Sequence, residues 1–106
     1  MAKYLIEASY TAQGTKGLLK DGGSKRAAAV KKVIEGLGGK LEAFYYAFGE
    51  DDVVGIIEVP DVAAIAAFSL TVGATGAVRI STTPLITPKE IDRACKKSVK
   101  FRAPGA

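Results

Sequence analysis

The first pattern along the chain is a two-residue alternation. From Tyr4 to Tyr10, the side chains Tyr4, Ile6, Ala8 and Tyr10 share one face, and Leu5, Glu7 and Ser9 share the other. That period predicts a strand with one face on a core. A second alternating run, Lys40–Phe48, places Glu42, Phe44, Tyr46 and Phe48 on one side and Leu41, Ala43, Tyr45 and Ala47 on the other. Both sides carry large apolar groups, so strict alternation predicts burial on both faces. An acidic turn at Gly49, Glu50 and Asp51 leads to a third strand, Asp52–Val59, which Pro60 stops. A fourth is expected at Ala77–Thr83.

Helical spacing fills the gaps between these strands. The connection after Tyr10 holds too many glycines for a long helix, and one or two turns are expected over Thr15–Lys20. Ser24 offers a cap for a helix in which Ala27, Val30, Val33, Ile34 and Leu37 recur on one stripe, with Lys25, Lys31, Lys32 and Glu35 opposite. Gly36, Gly38 and Gly39 are expected to end it. Asp61 can cap a helix over Val62–Val72 that carries no charged residue, and such a helix is normally covered on more than one side. Thr87-Pro88-Lys89-Glu90 has the form of a capping box and predicts a last helix to about Lys97, with Ile91, Ala94 and Cys95 inward. Residues 98–106 read as an extended tail.

The resulting order is strand, helix, strand, strand, helix, strand. It predicts an α+β, ferredoxin-like split β-α-β domain spanning residues 1–106. The expected sheet is four-stranded and antiparallel, with both crossover helices on one face and an additional C-terminal helix. Composition agrees: 106 residues with 48% hydrophobic and 25% charged suit one globular domain with its own core.

Charge and residue inventory narrow the chemistry. The net charge is +4, but the basic groups Lys16–Lys32 and Lys89–Arg102 interleave with acids, and only Phe101 lies beside them for base stacking. Solvated helix faces explain them better than a nucleic-acid surface does. Histidine is absent, which removes the commonest general base, the histidine-containing triads and an axial haem ligand. The one cysteine, Cys95, allows no intrachain disulfide and is expected to be a small core residue. No cofactor is implied. The glycines spell neither phosphate-binding motif, and Glu50-Asp51-Asp52 reads as a solvated turn rather than a cation site. No apolar run is long enough for a membrane span or a signal peptide, so a cytoplasmic protein without membrane association is expected.

Several segments together resemble the GYD-domain family: YLIEASYT, the Gly-rich connection, GLGGKLEAFYYAFGEDDVV, the strand ending EVPD, VGATGAVR and TPKE. Gly49 and Asp52 keep the flanking positions of the Gly-Tyr-Asp signature, with Asp51 where the tyrosine would stand. The resemblance implies a ferredoxin-like domain of the dimeric α/β-barrel kind, in which two sheets pack face to face. It implies no particular activity.

One constellation carries chemistry. In this topology one sheet face is left without helices, and the more polar strand positions are Glu7 with Ser9, Glu42 with Phe44 and Tyr46, and Arg79 with Ser81. If they share that face, Glu7, Glu42, Tyr46 and Arg79 form the candidate ligand-binding set, with carboxylates, a phenol and a guanidinium among aromatics. The competing and favoured reading is that the same groups make ion pairs across a dimer interface. Self-association as a homodimer or higher oligomer is expected, since the second strand and the uncharged helix would otherwise leave apolar surface in water. The function classes left are a homo-oligomeric, non-catalytic module that is structural or holds a small polar ligand, a cofactor-independent enzyme working through Tyr46, Glu42 or Arg79, and a module contacting nucleic acid or an acidic protein through the basic helices.

Overall fold

A computed structural model describes residues 1–106. The elements are β1 (Ala2–Tyr10), α1 (Ala12–Asp21), α2 (Gly23–Gly36), β2 (Lys40–Tyr46), β3 (Val53–Val59), α3 (Val62–Ala74), β4 (Val78–Leu85) and α4 (Pro88–Cys95). The four strands form one antiparallel sheet in the order β2-β3-β1-β4. This is the expected α+β, ferredoxin-like arrangement. β1 is central, pairing with β3 on one side (Ile6 opposite Gly55) and β4 on the other (Ile6 opposite Thr82).

Burial follows the alternation of β1. Tyr4, Ile6 and Ala8 are buried and Lys3, Leu5, Glu7 and Ser9 are only half-buried. β3 alternates the same way, with Val53, Gly55, Ile57 and Val59 buried. The core consists of Tyr4, Ile6, Ile57 and Val59 from the sheet, Ile34 from α2, and Ile65 and Phe68 from α3. Helices therefore cover one sheet face, and the opposite face carries Leu5, Glu7, Val54, Ile56 and Arg79 in the open.

Four local expectations are corrected. The connection after β1 holds a ten-residue helix, α1, started by the Thr11 side chain accepting from the Gly14 N–H. Its glycines are placed where side chains would not fit or are not needed: Gly14 is buried with its Cα against the Ala77 carbonyl and the Tyr10 ring. α2 starts two residues earlier than Ser24 would cap it, with Gly22 at the cap position and no side-chain cap. Its end is as expected: Gly38 takes a φ of 80°, its N–H reaches the Glu35 carbonyl, and the Gly39 N–H reaches that of Ile34, a Schellman stop. β2 ends at Tyr46, two residues short, because Phe48 turns to a positive φ of 55°.

The fourth correction concerns the C-terminal helix. Its capping box is present, with Thr87 accepting from the Glu90 N–H and Glu90 accepting from the Thr87 N–H. Yet α4 buries none of its residues, Ile91 is 47% exposed, and Cys95 is exposed rather than in the core. The helix does not pack on either face of the sheet. Residues 86–106 form an arm, and the radius of gyration of 17.1 Å exceeds the roughly 13 Å of a compact domain of this length. The uncharged α3 is likewise covered on one stripe only: Ile65 and Phe68 are buried, while Val62 and Leu70 are more than 70% exposed. No helix is long and apolar enough to cross a membrane.

Two predictions follow from local geometry. Gly14→Ala should destabilise the domain by about 1–3 kcal/mol through overpacking, whereas Gly17→Ala, whose new methyl meets nothing within 4 Å, should stabilise it by up to about 1 kcal/mol; chemical denaturation of both variants measures the difference. The Thr87 backbone and hydroxyl hold the Glu90 carboxyl below its ordinary value of 4.5. A lowered folded value means that the carboxylate's contribution is complete above pH 4.5 and is lost as pH falls through the folded value. Helical chemical shifts over 88–95 should therefore decline below that pH, and in Glu90→Gln they should lose this pH dependence.

Candidate functional site

The polar side chains of the strands divide between two faces and two ends of the sheet. On β2 the pairing runs Leu41 with Ile57 and then Ala43 with Ile56, so Glu42 is the extra residue of a β-bulge. A bulge reverses the parity of everything after it. Phe44 and Tyr46 therefore join Leu41 on the helix-covered face, whereas Ala43 and Tyr45 pair with half-buried Ile56 and Val54 on the open face. Strict alternation puts Leu41 opposite Phe44, and the bulge corrects that.

Tyr46 is accordingly not on the open face with Glu7 and Arg79. Its hydroxyl donates to the Gly23 carbonyl at 3.0 Å, pinning β2 to the first turn of α2. Its ring meets Phe44 edge-on at 5.4 Å and stacks on Phe48 at 6.2 Å. Burial raises the Tyr46 phenol above its ordinary value, the neighbouring Tyr10 adds to the rise, and Arg26 opposes it. A phenol shifted that way stays protonated at neutral pH and serves as a hydrogen-bond donor, not as a base.

Glu42 is held at the other end of the open face. Lys3 Nζ lies 2.9 Å from Glu42 Oε1 and 3.4 Å from Glu58 Oε1. Hydrogen bonding to Lys3 lowers the Glu42 carboxyl, and hydrogen bonding to Glu42 raises the Lys3 ammonium. Glu7 lies opposite Ser81 and Arg79 opposite Ser9, so these two are diagonal neighbours across β1 and β4. With Glu50 and Asp51 they line a shallow polar depression of about 370 Å³. Arg79 is exposed and makes no ion pair. The structure thus brings Glu7 and Arg79 together and leaves Glu42 and Tyr46 apart from them and from each other.

The acidic turn has a structural task. Asp52 Oδ2 accepts from the Tyr10 N–H at 2.8 Å, and Asp51 Oδ1 accepts from Ser9 Oγ at 3.2 Å. Both carboxylates tie the β2–β3 turn to the end of β1, so the turn is not merely solvated.

A deeper space lies on the covered face, where the sheet, α1, α2 and α3 do not close completely. Its outer part, about 360 Å³, is bounded by Tyr10, Gln13, Asp21, Arg26, Thr75 and Val78. Its inner part, about 80 Å³, reaches Ile6, Ala8, Phe44, Val53, Phe68 and Ile80. The two parts share Tyr10, Arg26, Val72 and Val78 and form one cleft. Ten of the eleven residues around the inner part are hydrophobic, and Arg26 is the exception. Arg26 is half-buried and makes no ion pair, although Asp21 stands at the same mouth. A sequence signal existed: Arg26 precedes Val30, Val33 and Leu37 by 4, 7 and 11 positions, so it occupies the inner stripe of α2 rather than the lysine face.

Comparison with known proteins bears on the whole of this frame. The family model described as GYD domain matches residues 4–95, from the start of β1's buried row to the end of α4. No curated protein and no solved structure matches the chain.

The different settings of Tyr46 and Arg79 give separable outcomes. Tyr46→Phe removes the bond to Gly23 and should cost about 0.5–1.5 kcal/mol of unfolding free energy. Arg79→Met, at an exposed and unpaired position, should change it by no more than about 0.5 kcal/mol. Urea denaturation of the two variants side by side checks both values.

Proposed function

The chain belongs to the GYD-domain family, and we propose that it works as a homo-oligomeric, non-catalytic module that holds a small ligand in the cleft between its sheet and helices. The observation that carries this reading is the cleft itself. It combines an apolar inner wall with a few polar groups at its mouth, the make-up of a small-molecule site, and its outer volume of about 360 Å³ lies within the roughly 300–1,000 Å³ such sites occupy. The open-face group of Glu7 and Arg79 offers a second, shallower place for a polar ligand, and in an oligomer it becomes interface.

Self-association is supported by what this chain leaves uncovered. The open sheet face presents Leu5, Val54, Ile56 and Tyr45, and the arm presents Ile86, Ile91, Val99 and Phe101, the last two at 79% and 77% exposure. Only 11 of 106 residues are buried within one copy, so much apolar surface is available to a second copy. A reducing, cytoplasmic setting suits the single free thiol of Cys95.

Light scattering should return a mass of at least twice the 11.0 kDa of one chain, and removal of residues 86–106 should shift the population toward monomer. Native mass spectrometry of the purified protein should show a small ligand released on unfolding. A monomer at micromolar concentration would refute the oligomeric half of the reading.

A further inference from the structure

We propose that the cleft on the covered sheet face is selective for a small amphipathic monocarboxylate, with its apolar body along the cleft's hydrophobic wall and its carboxylate on Arg26. The inference rests on the cleft being the ligand site and adds the chemistry of what it takes.

Arg26 carries the argument. It projects from α2 onto the wall of a pocket whose other lining residues are all hydrophobic. A guanidinium cannot shed its proton to suit such surroundings, so its charge has to be met by water or by an anion. No carboxylate of the protein pairs with it: Asp21 shares the mouth but lies beyond ion-pair distance, the only ion pairs are those of Lys3 with Glu42 and Glu58, and Arg26 donates no side-chain hydrogen bond. The fork of N–H groups is therefore free for a two-pronged contact with a carboxylate. α2 adds to the attraction, because Arg26 sits in the first turns of a fourteen-residue helix whose N-terminus has no side-chain cap.

The surroundings also limit the ligand. One guanidinium balances one charge, and Asp21 at the mouth opposes a second. A doubly charged phosphate is thus disfavoured relative to a carboxylate. The inner wall of Ile6, Ala8, Phe44, Val53, Phe68 and Ile80 offers no hydrogen-bond partner, so the body of the ligand is hydrocarbon or aromatic. Tyr46 is not available as a further donor, since its hydroxyl is committed to Gly23.

Octanoate and octan-1-ol share an alkyl chain and differ in the charged head, so isothermal titration of the full chain with each separates pocket from anchor. Octanoate should bind about tenfold or more tightly than the alcohol, the fold-change that a charge-assisted hydrogen bond of ordinary strength supplies. Arg26→Met should bring the two affinities together by weakening octanoate alone, Arg26→Lys should retain part of the preference, and circular dichroism should show both variants folded. Asp21→Asn should tighten octanoate. Equal binding of acid and alcohol by the unaltered protein would overturn the carboxylate assignment and leave the cleft a ligand site. Binding of neither would overturn both, and a preference that survives Arg26→Met would place the anchor elsewhere. The comparison within the unaltered protein keeps the proposal testable even if a variant fails to fold.

Discussion

Everything in this domain depends on β1 being a central strand with only one of its faces covered. Pairing on both edges fixes its position, since Ile6 stands between Gly55 and Thr82. Its alternation then commits Tyr4, Ile6 and Ala8 to the core and Leu5, Glu7 and Ser9 to the other side. A one-residue slip would exchange those sets and empty the core, so the register is strongly specified. The two aspartates of the β2–β3 turn reinforce it by binding the end of β1 through Tyr10 and Ser9.

The same one-sided arrangement explains where the binding space lies. Two helices bridging one sheet face meet the core through Ile34, Ile65 and Phe68, at one end of the sheet. At the other end α1 packs with Gly14 pressed against the Ala77 carbonyl, and a cleft remains among α1, α2, α3 and the strands. The bulge at Glu42 matters here as well. By reversing parity it sends Phe44 to the cleft wall and Tyr46 to α2, while freeing the Glu42 carboxylate to pair with Lys3.

Two surfaces stay open: the helix-free sheet face and the C-terminal arm. Both mix apolar groups with charge, Leu5 and Val54 beside Glu7 and Arg79 on the sheet, Ile91 and Phe101 beside Arg93 and Lys100 on the arm. A single copy has no second layer to lay over either, which makes the unit of function larger than the single chain in the reading advanced above.

Much of the fold was legible in the residues alone. Period-two alternation marked β1 and β2, the acidic turn and Pro60 bounded β3, helical spacing marked α2, Asp61 and Thr87 marked helix starts, and the element order was enough for the topology. These are short-range properties, set by backbone sterics, capping and the side on which successive side chains emerge. The site was legible only in part: Glu7 and Arg79 do meet, but Tyr46 and Glu42 stand elsewhere, and Arg26 hid among lysines although its spacing placed it on the apolar stripe. Tertiary structure alone decided the bulge, the exposure of Cys95 and the cleft left among α1, α2, α3 and the sheet. Each depends on contacts between residues far apart in the chain, and a local pattern carries no record of which distant surface will be occupied and which left free.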